Sequence, residues 1–76
     1  MNKKRKNEIE RLQDSLQEIK ESLQSVLDEE QEAFDNTPEP LQNTERGEQM
    51  QAAIESMEAA LSSLDEAIDN LDEINQ

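Results

Sequence analysis

Two carboxylate clusters are the groups in this sequence best placed to do chemistry. Asp28, Glu29, Glu30, Glu32 and Asp35 crowd one stretch, and Asp65, Glu66, Asp69, Asp72 and Glu73 crowd another. Divalent cations are the first ligands to consider. A calcium loop alternates its oxygen ligands around a glycine bend and closes on a glutamate, and neither cluster has that order. A helical di-iron site requires Glu-x-x-His, and the chain contains no His. A glycosidase-like carboxylate pair needs a cleft that shifts one pKa, which a narrow helical protein does not offer. The absence of Cys removes disulfides and thiolate chemistry. The absence of His removes the usual general base, and a single Gly cannot build a phosphate-cradling loop. The expectation is therefore a protein that is not an enzyme and takes no cofactor or metal.

The basic run Lys3, Lys4, Arg5, Lys6 is the other charged feature. Twenty acids face seven bases, and from residue 21 onward sixteen acids face Arg46 alone. Such a surface repels nucleic acid and anionic membrane and attracts basic partners. Phosphate binding by the basic run would be opposed by the rest of the chain. Its expected role is compensation, with the basic head lying beside the acidic end of the second helix. The run lacks the apolar stretch that completes a secretory signal. No segment approaches the roughly 20 apolar residues that cross a bilayer. A cytoplasmic protein without direct nucleic-acid or membrane contact is expected.

The elements that must position these groups are helices. Ile9, Leu12, Leu16, Ile19, Leu23 and Val26 recur at spacings of three and four. With Ile9 as position a of a heptad, they form an unbroken a/d seam. Met50, Ile54, Met57, Leu61, Leu64, Ile68 and Leu71 form a second seam. Between them lies DNTPEPLQNTERG, whose two prolines end a helix and whose Asp, Asn and Thr favour turns. Thr37 is a candidate cap for a short turn opened by Pro38, and Asn43 or Thr44 for the next helix. The pattern predicts one domain over residues 1–76: a helix at about 4–34, a loop at about 35–43 and a helix at about 44–74. The fold class is all-α, an antiparallel two-helix coiled-coil hairpin. Pairing residues whose numbers sum to eighty sets Ile9 against Leu71, Leu16 against Leu64, Ile19 against Leu61, Leu23 against Met57 and Val26 against Ile54. The same register places Lys20 beside Glu58, Lys6 beside Asp72, Gln13 near Asp65, and Ala33 opposite Gly47.

One flank of the predicted hairpin is small and largely uncharged. Ser15 falls beside Ala67 and Ser22 beside Ala60 along its middle, with Glu29 beside Ala53 and Glu8 beside Ile74 toward its ends. Small residues let another backbone approach, and the second helix carries an apolar stripe wider than one partner covers. Two hairpins are thus expected to pack through this flank as a homodimeric four-helix bundle. Ala is also simply the best helix former, and Ala52 and Ala59 on the outer face illustrate that role. At the loop end Leu27, Glu30, Phe34 and Leu41 depart from the seam, with Leu41 expected to fold over Phe34. They form a candidate partner-binding patch ringed by acids, or else a satellite cluster that pins the loop. Glu30 either snorkels or pairs with Arg46.

The segment EEQEAFDNTPEPLQNTERGEQMQAAIESMEAALSSLDEAIDNL, residues 29–71, resembles small acidic helical-hairpin proteins of unknown role from bacteria, phages and mobile elements. AFDNTPEPLQ and TERGE carry most of that resemblance. It implies a helical hairpin in a bacterial or phage setting and transfers no site residue. Acidic dimeric hairpins that bind RNA share the architecture, but here the bases gather at one helix end and no basic aromatic face exists. The expected function is that of a self-associating hairpin that binds a protein partner through its loop end or acidic surface. The alternative is a nucleic-acid mimic from a phage or mobile element, its carboxylates imitating phosphates to inhibit a host nucleic-acid-binding enzyme.

Overall fold

The computed structural model describes residues 1–75, and their secondary structure is entirely helical: α1 (Lys3–Asp35), α2 (Glu39–Gln42) and α3 (Glu45–Ile74). Local chemistry sets these boundaries. No Gly or Pro interrupts residues 3–35, and the Asn2 side chain caps α1 by accepting from the Arg5 amide at 2.9 Å. Pro38 disfavours helical backbone in the residue before it, and α1 stops at Asp35. The segment predicted as loop contains the one-turn helix α2. Its cap position is Pro38 itself, and Pro40 falls in the first turn, where no amide donor is needed. Thr37 does not cap this turn; its hydroxyl donates back to the Ala33 carbonyl at 2.8 Å. Thr44 caps α3, its side chain accepting from the Gly47 amide at 3.4 Å.

The corner reverses the chain, and α1 and α3 run antiparallel along a rod of 58 × 15 × 15 Å. Toward the open end, the Gln13 side-chain amide donates to the Ile68 carbonyl at 3.4 Å and to Asp72 at 3.4 Å. Midway along, Lys20 pairs with Asp65. These contacts lie one heptad from the expected ones, in which Lys20 faced Glu58 and Gln13 faced Asp65. Lys20–Asp65 is the one ion pair among the described residues. Lys6 therefore does not bridge to Asp72, and the basic head makes no ion pair with the acidic end of α3.

The helices are shifted along one another from the expected pairing, Leu27 lying between Ile54 and Leu61 rather than level with Ala53, and α1 is also turned about its axis. On α3 the predicted seam faces inward, with Ile54 and Leu61 buried and Met50, Met57, Leu64, Ile68 and Leu71 half-buried. On α1 the seam is different. Ile9, Leu16 and Leu23 turn toward α3, but their companions are Gln13, Lys20, Leu27 and Phe34 rather than Leu12, Ile19 and Val26. Leu27, Ile54 and Leu61 form the buried cluster, with Leu23, Phe34 and Met57 packed against it. Leu27 thus takes the place expected for Val26. Relative to an a/d seam, an a/e seam turns α1 about its axis by roughly 50°, half the step between successive residues. Two large side chains near the corner, Leu27 and Phe34, are buried by this turn. Gln13 and Lys20 follow them inward along the same line, and each reaches a polar partner at the rim.

The result is a thin core. Leu27, Ile54 and Leu61 are the only large hydrophobic side chains buried among the described residues, at 9%, 7% and 8% exposure. Leu27→Ala is expected to destabilise the hairpin by about 2–4 kcal/mol in urea denaturation, the range for truncating a buried leucine. A loss below about 1 kcal/mol would place Leu27 outside the core and return the seam to Leu12, Ile19 and Val26.

Candidate interaction surfaces

Gln42 ties the corner together. Its Nε2 donates to the Thr37 carbonyl at 2.9 Å and to the Phe34 carbonyl at 3.3 Å, the latter also accepting from the Thr37 amide at 3.0 Å. The Gln42 carbonyl in turn accepts from Gln51 at 3.4 Å. The Gln42 backbone also packs onto Gly47. A Cβ on Gly47 would lie 2.1 Å from the Gln42 oxygen and 2.5 Å from its carbonyl carbon. Gly47 is therefore small because α2 presses on it, whereas the sequence suggested convergence with Ala33 as the reason.

Beside this corner is a cleft of about 500 Å³ lined by Ala33, Asn36, Thr37, Pro38, Leu41, Thr44, Arg46, Gly47 and Met50. Leu41 stands 53% exposed at its edge. A second hollow of about 360 Å³ shares Ala33, Arg46 and Met50 and extends along the rod past Glu30 to Ala53. Arg46, the sole base after Lys20, sits between the two and makes no ion pair with Glu30. The expected loop-end patch is consequently divided. Leu27 belongs to the core, and Phe34 packs against it. Phe34 borders a different hollow, with Gln31, Gln51, Ile54, Glu55 and Glu58, so Leu41 and Phe34 line separate clefts. Burial of Leu27 draws Phe34 to that side, because the two lie seven residues apart on one line of α1. Glu30 is half-buried. Leu41 is the member of the predicted patch left open at the loop cleft.

The long side of the rod is the second surface. The turn of α1 leaves Leu12, Ile19 and Val26 at 54%, 53% and 52% exposure, a line of large apolar side chains seven residues apart. Ile19, Ser22, Leu23 and Val26 border a shallow hollow there. The next member of this line is Ala33, which shares its cleft with Ala53, the first member of the α3 alanine line. The two lines thus occupy one side of the hairpin. Of the predicted self-association residues, Ser15, Ser22, Ala60 and Ile74 are exposed, and Ala53 and Ala67 are half-buried. On α3 this side continues as Gln49, Ser56, Ser63 and Asn70, and from residue 49 to 74 its two lines carry no charge. The α3 carboxylates Glu55, Glu58, Asp65, Glu66, Asp69, Asp72 and Glu73 lie on the remaining lines.

Sequence reasoning missed Leu12, Ile19 and Val26 as surface residues because their spacing suits a seam as well as a surface. The competing signal was present: Leu27 and Phe34 continue the line of Gln13 and Lys20 at the same spacing. No group of three His, Cys, Asp or Glu side chains among the described residues is arranged to hold a metal ion. None of their helices is long and apolar enough to cross a membrane. Comparison with protein families, with curated proteins and with solved structures finds no match to the chain.

Gly47→Ala tests the corner. Helix propensity alone would add about 1 kcal/mol of stability, whereas forcing backbone apart costs about 1–3 kcal/mol. A net loss of about 1 kcal/mol or more is expected in chemical denaturation, and a gain would show that α2 does not press on Gly47.

Proposed function

We propose that this chain is a non-enzymatic helical-hairpin interaction protein that self-associates through its apolar, alanine-lined long side and binds a protein partner at its loop end. The observation that carries the reading is the exposed line Leu12, Ile19, Val26 beside Ala53, Ala60 and Ala67. The turn of α1 that buries Leu27 and Phe34 leaves Leu12, Ile19 and Val26 open, and a further helical surface would cover these large side chains. The small alanines beside them permit close approach of a backbone. The loop cleft serves the second role, since it is apolar along Ala33, Pro38, Leu41 and Met50 and carries one cation at its border.

Ala60→Glu with Ala67→Glu is expected to convert a dimer to a monomer by light scattering while helicity by circular dichroism is retained. An unchanged mass would reject the alanine side as the contact. Leu41→Ser is expected to lose a partner captured by the unsubstituted chain and to keep the dimer mass. The dense carboxylates on the other lines of α3 support nucleic-acid mimicry as the second reading. That reading predicts a partner retained by Leu41→Ser and displaced by competing DNA or by salt.

A further inference from the structure

The long side of the rod has a symmetry that specifies how a second copy would sit on it. Leu12, Ile19 and Val26 are centred on Ile19. Leu27 packs between Ile54 and Leu61, and Lys20 pairs with Asp65, so Ile19 stands level with the Leu64–Glu66 stretch of α3. A two-fold axis crossing the rod at that level sets Leu12 of one copy against Val26 of the other, and on α3 Ser63 against Ala67 and Ala60 against Asn70. We infer that two copies associate with their loops at opposite ends, α1 lying antiparallel on α1 of the second copy about Ile19 and α3 on α3 between Ser63 and Ala67. This rests on the self-association proposed above and adds its orientation.

Area points to a second copy as the occupant. The hairpin exposes 5754 Å², whereas a folded monomer of 8.7 kDa exposes about 4,700 Å². The excess of about 1,000 Å² is comparable to the roughly 800 Å² that each partner buries in a standard protein interface. Charge decides the orientation. Residues 20–64, which form the loop half, carry eleven acids against two bases, a net charge of −9, whereas the remaining residues carry −4. Copies with their loops together would stack the two most acidic halves on each other. With loops apart, the basic head of each copy lies over the loop half of the other. About Ile19, Arg5, on the exposed apolar line itself, comes level with Ala33 of the second copy, within a turn of its Glu29 and Glu30. Among the described residues the basic head forms no ion pair.

The natural chain has no Cys, and single cysteines can therefore report the orientation. A disulfide requires Cα atoms about 4.4–6.8 Å apart. Ile19→Cys is expected to form a covalent dimer on mild oxidation. Leu12→Cys alone is expected to remain unlinked, because two such sites lie about 21 Å apart along the rod. Leu12→Cys mixed with Val26→Cys is expected to link. The mass of the unsubstituted chain is read in parallel by light scattering. A dimer in which Ile19→Cys links instead to Ala67→Cys of a second copy, and not to itself, would overturn the orientation and leave self-association standing. A monomeric mass up to millimolar concentration would overturn both.

Discussion

Burial of Leu27 against Ile54 and Leu61 is the contact on which the rest of the hairpin depends. It sits where α1 approaches the corner, so the azimuth it imposes is inherited by every residue toward the N-terminus. An α-helix is stiff in torsion over such a length, because its backbone hydrogen bonds fix each residue to the fourth one along. Once Leu27 and Phe34 face α3, Gln13 and Lys20 must face it too. The polar contacts at Ile68, Asp72 and Asp65 follow from that orientation. They are exposed rim interactions of small individual worth. The apolar cluster sets the geometry, and the polar contacts accommodate it.

This dependence explains which features were legible in the sequence. The helical class and the reversal at the prolines follow from local rules: periodicity, the absence of Gly and Pro from the first helix, and cap residues. The α3 seam was legible because Met50 to Leu71 offers one continuous a/d line with only alanines as competitor. The α1 seam was not, because that helix carries two overlapping apolar lines, and both satisfy the same spacing rule with Ile9, Leu16 and Leu23. Choosing between them requires knowing which large residues lie nearest the corner, and that is a tertiary fact. Thr37 and Gly47 show the same limit on a smaller scale. Each was recognised as a special position, but its partner, the Ala33 carbonyl or the Gln42 backbone, depends on the path of a one-turn helix that periodicity does not reveal.

Charge segregation is the other organising feature. A chain with a net charge of −13 repels copies of itself, so association is favoured only through a side kept free of carboxylates. On α3 two adjacent lines meet that condition between residues 49 and 74, and the turn of α1 brings a row of large apolar side chains beside them. Loop cleft and long side meet at Ala33, Arg46 and Met50. A partner seated at the corner would therefore touch the border of the proposed self-association surface, and the two proposed contacts would adjoin.

The stitching of the corner by Gln42 also governs how the rod closes and opens. In an antiparallel pair every contact encloses those nearer the bend, so each further layer forms across a loop already shortened by the one before it. The corner and the Leu27 cluster are short-range in sequence and apolar, while the layers toward the termini contain Gln13 and Lys20. Closure thus runs outward from the bend, and fraying runs inward from the free end. Amide hydrogens should exchange with solvent in a gradient along the 58 Å rod, slowest near Ile54 and fastest beside the basic head, the end first released when the molecule is strained.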